Sequence, residues 1–406
     1  MNYSLLLHMT MLRLGRNKLK TCMMGLGIMV SVLATVLVQT AGSGFRGAFT
    51  SFIDKAYPAD TVWLVSGSGL MAGAGVRNGL RMDDVDTIQG AISEISAFDP
   101  IVQGGVRELK RGSSNTRVPV SGVSHKAVEV RRRGVSQGQF LSEEDIRTRA
   151  HVALIGATTA RELFGAESPL GEQLFIDNVA FTIKGVLDAV GVDPHGGDQD
   201  HMLQLPYTTV MEQMVRRETL SGVTFTVKDR RKVEAVAAEV TRIMRARHQI
   251  GAGQEDDFSI TTPVLMQALV ERSFSIFRIF SPLIGGTAFL ISGLVILAIM
   301  LIAIKQRTPE IGLRKALGAR QFDLQMEILI EVMIIALIAA LVGLIIAQAG
   351  IMALAPLLAE KFGVIGLRTG VPTLLAGMLG AIATGVLGAL LPARRAARLN
   401  PVIALK

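Results

Sequence analysis

Glu310, Arg314, Lys315 and Arg320 fall within one short stretch, EIGLRKALGAR, and Asp193, His195, Asp198, Asp200 and His201 within another, DPHGGDQDH. The second set offers carboxylate and imidazole donors, the ligand chemistry of a divalent metal. The first offers cations beside apolar side chains, the chemistry of docking on a headgroup layer or on a protein. Gly196 and Gly197 loosen the second stretch, which joins two strand-like segments, so a solvated loop is expected there and no metal. Arg131-Arg132-Arg133 lies near Glu143-Glu144-Asp145; this reads as a solvated surface of weak pairs, with a docking face as the alternative. There is no Gly-Lys pair in the chain, hence no GxxxxGK[ST] phosphate loop, and no HExxH. A single cysteine, Cys22, rules out CxxC pairs and an intramolecular disulfide framework. No catalytic, cofactor-binding or metal-binding residue is expected, and the chain is expected not to be an enzyme.

The docking stretch has the marks of a short helix. Thr308 suits an N-cap, Pro309 the first helical position and Glu310 the first turn. Ile311, Leu313, Ala316 and Leu317 then form an apolar face, with Arg314 and Lys315 on the other side and Gly318 placed to end the helix. Two turns are not stable alone, so the segment must lie on the membrane surface or dock on another protein. Glu327 and Glu331 follow; interfacial charge is the expected role of Glu327, and helix packing or gating is weighed for the deeper Glu331.

Four windows without charge surround these residues: Thr21–Phe45, Pro282–Ile304, Val332–Leu358 and Val371–Leu391. As helices, at ~1.5 Å per residue, each spans the ~30 Å hydrocarbon core. Half of the chain is hydrophobic and only 19% is charged, which fits a membrane protein. The net charge of +8 does not indicate nucleic acid, because it is concentrated at the window ends. Arg13, Arg16, Lys18 and Lys20 precede the first window; five basic and two acidic residues lie between Lys305 and Asp323; Arg394, Arg395, Arg398 and Lys406 follow the last. That is the positive-inside pattern, and it places the N terminus, the 305–325 loop and the C terminus in the cytoplasm. The first window is expected to be an uncleaved anchor rather than a signal peptide, its apolar run being long for the latter.

The region between the first two windows, 44–275, mixes short strands and helices. TVWLVSG, IVQGGVREL, TRVPVSGV, GVTFTVKD and FSITTP have strand character, and GEQLFIDNVAFTIKGVL resembles a hairpin turning at Asp177-Asn178. Asp83 to Gln89, ARELFG and RRKVEAVAAEVTRIMRARHQ are helical, the last by Val233, Val236, Val240 and Ile243. The expected fold is membrane α-helical, with four transmembrane helices and a large α+β extracytoplasmic domain of two subdomains inserted between helices 1 and 2. The expected order is a cytoplasmic segment 1–20, helix 21–43, core domain 44–275 with an inserted subdomain at about 112–220, helix 280–304, loop 305–325, helix 326–356, external loop 357–370, helix 371–391 and tail 392–406. The last helix carries Gly377, Gly380, Gly385 and Gly388, which let helix backbones approach closely in lipid, within one protomer or across a dimer.

The stretch Glu310-Ile311-Gly312-Leu313-Arg314-Lys315-Ala316-Leu317-Gly318-Ala319 resembles the loop joining the second and third spans of FtsX/MacB-like permeases of ABC transporters. The closing LPARRAARLNPVIALK, the lead-in RLGRNKLKTCMMGLGIMVSV, and Leu163-Phe164-Gly165, Pro169-Leu170-Gly171 and Gly185-Val186 are similar to the same family in the same order. A family Asp often stands where Asn400 is, and a frequent Arg where Lys406 is.

By that resemblance, Glu310, Ile311, Gly312, Leu313, Arg314, Lys315, Leu317 and Gly318 form the element that docks on an ABC ATPase. The family likeness also implies a homodimer or paired permease, ATP and Mg bound in the partner rather than here, and ATP-driven motion of the external domains. A periplasmic adaptor and outer-membrane channel would be further partners, and the bacterial inner membrane the location. Since the sequence begins at the first span, a separate ATPase polypeptide is expected. Two functions remain open: a transport subunit that exports or extracts an antibiotic-, lipid- or lipoprotein-like substrate, and a signal transmitter that activates a periplasmic hydrolase or senses a ligand. A membrane-anchored enzyme is disfavoured for want of a catalytic constellation.

Overall fold

The computed structural model describes residues 18–67, 79–112, 114–193, 196–362 and 369–399. Arg13, Arg16, His195, residues 68–78 of the SGSGLMAGAGVRNG stretch that reads as a loop, residues 363–368 of the expected external loop and the closing Asn400-Pro401 and Ala404-Leu405 lie outside them. In chain order the helices are α1 (Lys18–Ala56), α2 (Met82–Ala91), α3 (Ala127–Arg131), α4 (Glu143–Arg147), α5 (Ala157–Phe164), α6 (Tyr207–Val210), α7 (Val233–Arg247), α8 (Pro263–Gln306), α9 (Thr308–Ala316), α10 (Gln321–Phe362) and α11 (Val371–Ala397). The strands are β1 (Thr61–Ser66), β2 (Ile95–Arg111), β3 (Ser114–Val123), β4 (Val135–Gly138), β5 (Val152–Ile155), β6 (Gln173–Ile176), β7 (Val179–Leu187), β8 (Leu203–Pro206), β9 (Gly222–Val227) and β10 (Phe258–Thr261). Two compact units result. One holds the described residues of 18–47, 272–360 and 369–399, the other 48–271 together with 361–362.

In the first unit α1, α8, α10 and α11 are long and apolar enough to cross a membrane. All four exceed their apolar windows. The helix expected at 21–43 continues to Ala56, and the one expected at 280–304 begins at Pro263. The third, α10, expected at 326–356, runs from Gln321 to Phe362 and so into the expected 357–370 loop, and α11, expected at 371–391, continues to Ala397. Hydropathy marks where lipid ends, whereas the i to i−4 hydrogen-bond ladder runs on through residues such as Arg46, Asp54 and Lys55. Buried Met24, Ile28, Val32 and Val36 of α1 pack with Ile296 and Met300 of α8, Val332 and Ala336 of α10, and Ala381 and Ala389 of α11. Between α1 and α8 there is also a polar contact. The Ser31 hydroxyl lies 2.8 Å from the Ala288 carbonyl, an interhelical bond that stabilises more where no water competes.

The second unit is built on ten strands in the order β10-β1-β9-β2-β3-β8-β5-β7-β4, with β6 pairing β2 and β7. β2 has 17 residues and serves both halves. Ile95–Ile101 pairs antiparallel with β9, and Val102–Arg111 with β3. The switch coincides with a bulge between Gln103 and Gly105, where Gly105 takes φ +78°. This joins two subdomains through one strand. A single apolar core runs through both, from Val62 and Phe225 to Phe181 and Ile183. The hairpin at Asp177-Asn178 forms as a two-residue turn, both residues at positive φ (48° and 69°), the geometry that matches the strand twist.

Asp145 shows how polar groups pin this unit. It accepts from the Ser142 amide at 2.7 Å, which in turn caps α4 through its hydroxyl, and it takes an ion pair from Lys184. Burial pushes the Asp145 carboxyl up, but Lys184 and Ser142 together outweigh it and hold the group below the ordinary carboxylate range. Asp145→Asn should therefore lower stability by about 1 kcal/mol at neutral pH. A depressed folded-state pKa gives stability that is complete above the unfolded value of ~3.9 and disappears as pH falls through the folded one. Denaturant titrations at neutral pH and in strong acid should show a gap that closes in acid. A gap unchanged in acid would remove the charge from the explanation.

Candidate functional site

The helix expected in the 305–325 loop is α9, and its ends explain themselves. Thr308 is its first residue rather than its cap; Arg307 takes the cap position. The Thr308 hydroxyl instead donates back to the Ile304 carbonyl at 3.0 Å, in the last turn of α8, where the Arg307 amide also donates at 3.1 Å. At the other end Gly318 adopts φ +94°. Its amide donates to the Lys315 carbonyl at 3.1 Å and the Ala319 amide to the Arg314 carbonyl at 3.1 Å, a Schellman closure.

The two faces of α9 differ from the sequence expectation at one residue. Leu313 (54% exposed), Ala316 and Leu317 (81% exposed) lie open, next to exposed Pro309, while Gly312 is buried. Ile311 is half-buried and turns inward, lining a small cavity with Arg314 and Glu327. At ~100° per residue, Ile311 and Leu313 stand on opposite sides, whereas Ile311 shares its side with Arg314 and Lys315. The apolar outer patch is therefore Pro309, Leu313, Ala316 and Leu317.

The inner face is held by charge. Arg314 bonds both oxygens of Glu327 on α10, at 3.1 and 3.2 Å, and reaches Glu310 one turn back at 2.8 Å. Lys315 donates to the carbonyls of Ala397 and Leu399 at 2.9 and 2.7 Å, thereby capping α11. Buried Glu331 stands 3.4 Å from Arg307 and 3.7 Å from Lys20 of α1. Thus α9, which the sequence links only to α8 and α10, is also tied to α11. None of the spacing patterns pointed to Lys315 as a cap, because its partner carbonyls lie 82 and 84 residues away.

The four glycines of α11 face three neighbours within the same chain. A Cβ on Gly377 would touch Val32 and Val36 of α1 at 3.5 Å, and one on Gly385 would lie 3.0 Å from Ala336 of α10. On Gly380 it would overlap the Phe289 ring at 2.6 Å, and on Gly388 the Gly293 carbonyl at 2.9 Å, both on α8. Of the two partners weighed for this stripe, the structure places it against the chain's own helices.

In the other unit, the acids of DPHGGDQDH are engaged by their own loop. Asp200 accepts from the amides of Val190 and Gly191 and from Arg133, at 2.8 to 2.9 Å. Asp193 accepts from Gly197 and Gln199, and Asp198 from the Asp200 amide. His201 faces Glu162 at 3.0 Å. The arginine triplet also departs from expectation. Arg131 and Arg133 pair with buried Asp99 and Asp200, and Arg132 with Asp60, rather than with the nearby Glu143-Glu144-Asp145. Arg132 sits at φ 53°, in the left-handed region, where α3 ends. A GxSxG nucleophile elbow is not expected from the sequence, yet Gly134-Val135-Ser136-Gln137-Gly138 has the GxSxG spacing. Ser136 lies within β4, not at a strand-to-helix turn, and its hydroxyl donates to the Val186 carbonyl at 3.3 Å, so it is not a nucleophile elbow.

Comparison with known proteins follows the same division. Residues 21–243 match the family profile of the MacB-like periplasmic core domain, and residues 282–401 that of the FtsX-like permease C-terminal region. The macrolide export ATP-binding/permease protein MacB of Bdellovibrio bacteriovorus is 29% identical over 410 residues, covering 98% of this chain and 61% of that protein. MacB of Marinobacter nauticus is 31% identical over 398 residues, covering 97% and 59%. The pyoverdine export ATP-binding/permease protein PvdT of Pseudomonas entomophila is 29% identical over 391 residues, covering 96% and 57%. The chain spans about three fifths of the length of these relatives. With one profile over more than half of its length and the second over the remaining helices, in the order and at the places where the α+β unit and the membrane helices lie, the chain belongs to the MacB/FtsX-like permeases of ABC transporters.

Proposed function

We propose that this permease couples ATP hydrolysis by an ABC ATPase to motion of its unit 48–271, and so exports or extracts an antibiotic-, lipid- or lipoprotein-like substrate at the outer side of the bacterial inner membrane. The supporting observation is α9: an apolar patch open on one side, and on the other a set of ion pairs and caps to α10 and α11. A face that binds a partner needs apolar area, and an element that transmits force needs stiff attachment behind it. The nucleotide site lies outside these 406 residues, which have no phosphate loop. The proposed arrangement is two permeases on two ATPases, with 48–271 in the periplasm, and an adaptor and outer-membrane channel as further partners.

Exposed Glu218 and Gln306 provide a test, with Cys22→Ser as background. In cells with a permeabilised outer membrane, a membrane-impermeant maleimide should label Glu218→Cys and leave Gln306→Cys unlabelled. With the ATPase co-expressed, the labelling rate at Glu218→Cys should change with ATP turnover and revert with a hydrolysis-dead ATPase. A rate indifferent to the ATPase would eliminate coupling, and labelling of Gln306→Cys would reverse the topology.

A further inference from the structure

Unit 48–271 contains a cavity of about 490 Å³, within the size range of small-molecule sites. It lies between the two halves of the sheet: its walls include the end of α1, β1, the segment after α3, and β8. Phe52, Trp63 and Phe140 provide an aromatic wall. The charged lining holds Lys55, Arg131, Arg132 and Arg133 with Asp54 and Asp188; the three arginines are also paired with Asp99, Asp60 and Asp200 behind the wall, so the positive side chain left open to the cavity is Lys55.

Three polar groups here lack partners. Gln204 lines the cavity and is only 5% exposed, yet its side-chain amide has no hydrogen bond among the described residues. Ser121, its register neighbour on β3 and hence on the same face, has a buried hydroxyl without a partner. Arg131 is held by Asp99 through Nε at 2.6 Å, while its buried Nη2 has none. Buried donors are ordinarily satisfied, and a guanidinium N–H beside an aromatic wall is matched by an anionic acceptor on an apolar body.

We propose that this cavity binds an amphipathic small anion, its carboxylate, sulfonate or phosphate taken by Arg131 and Lys55 beside Gln204 and its apolar part laid on Trp63, Phe52 and Phe140. The site is independent of the coupling reading, since it involves neither α9 nor nucleotide.

Trp63 is the chain's single tryptophan and lines this cavity, so it is the chain's one tryptophan donor to a probe bound there. The full chain in phosphatidylcholine nanodiscs is titrated with dansylglycine, an aromatic carboxylate, and with neutral dansylamide. Saturable energy transfer from Trp63 is expected for dansylglycine, with dansylamide about tenfold weaker, the worth of one charge-assisted contact. Lys55→Glu, on an exposed side chain, and Gln204→Leu, of similar volume, should each weaken dansylglycine about tenfold, and Lys55→Glu should leave dansylamide unaffected. Arg131→Gln is avoided because it would strand buried Asp99. Displacement by decanoate identifies an acyl anion and displacement by 2-naphthoate an aromatic one; either supports the site. No saturable transfer, equal affinity for both probes, wild-type binding by both variants at unchanged circular dichroism, or displacement by neither competitor overturns it.

Discussion

Replacing Leu313 and Leu317 together by glutamate should abolish co-purification of the ABC ATPase while leaving the permease in the membrane at normal levels. Both side chains stand open on the outer face of α9, so neither is needed for the packing of this chain. Full burial of a leucine on a partner stabilises by about 1.5–3 kcal/mol, so losing two removes roughly 3–6 kcal/mol. At ~1.4 kcal/mol per factor of ten, that is at least a hundredfold in affinity, before the cost of desolvating two carboxylates. The inner face supplies the control. Arg314, Lys315 and their partners are untouched, so the thermal transition of the purified permease should stay near the wild-type value. Pull-down from detergent extract, quantified against membrane abundance, decides the matter. Retention of the ATPase at wild-type levels would mean that α9 docks by another face or not at all.

Gly388→Val should disrupt the helix bundle, whereas Gly286→Ala should not. The new Cβ at 388 would meet the Gly293 carbonyl oxygen at 2.9 Å and the Ile296 Cβ at 3.2 Å. One of these is backbone and the other a β-branched side chain, and neither swings aside. Overpacking of this kind costs about 1–3 kcal/mol or separates α11 from α8. At Gly286, on an exposed part of α8, a Cβ would have nothing within 4 Å. There alanine reduces the chain's backbone freedom and should be neutral or stabilising by up to about 1 kcal/mol. Thermal unfolding of both variants in nanodiscs should give opposite shifts. Equal transitions would show that the glycine stripe is not an intramolecular contact.

What was legible from sequence was the physics of single segments. Lipid demands uncharged runs of helical length, and Thr21–Phe45 and its three counterparts satisfy this without knowledge of any contact. The Asp177-Asn178 turn and the amphipathic α7 follow from local backbone preference and period in the same way. The charged helix between two spans was likewise visible, as was the Gly318 stop. Errors began where a property of the chain's surroundings was read as a property of the segment. The first helix is expected to end at 43, near the close of its uncharged window, although helical hydrogen bonding runs on to Ala56. The strand expected at IVQGGVREL begins earlier, at Ile95. In the fold Asp99 is buried, paired with Arg131 and accepting from the Ser124 amide, so the strand continues through it.

Sequence alone therefore determined the four membrane spans, their charge asymmetry, the α+β class of the inserted domain and the existence of α9. Tertiary structure decided which carboxylate each arginine meets, that Lys315 caps α11, that Ile311 turns inward and that the α11 glycines face α1, α8 and α10. The reason is one of range. Hydropathy, helix ends and turns depend on residues a few positions apart, whereas an ion pair or a close approach depends on partners tens to hundreds of residues distant, brought together only by the packed chain.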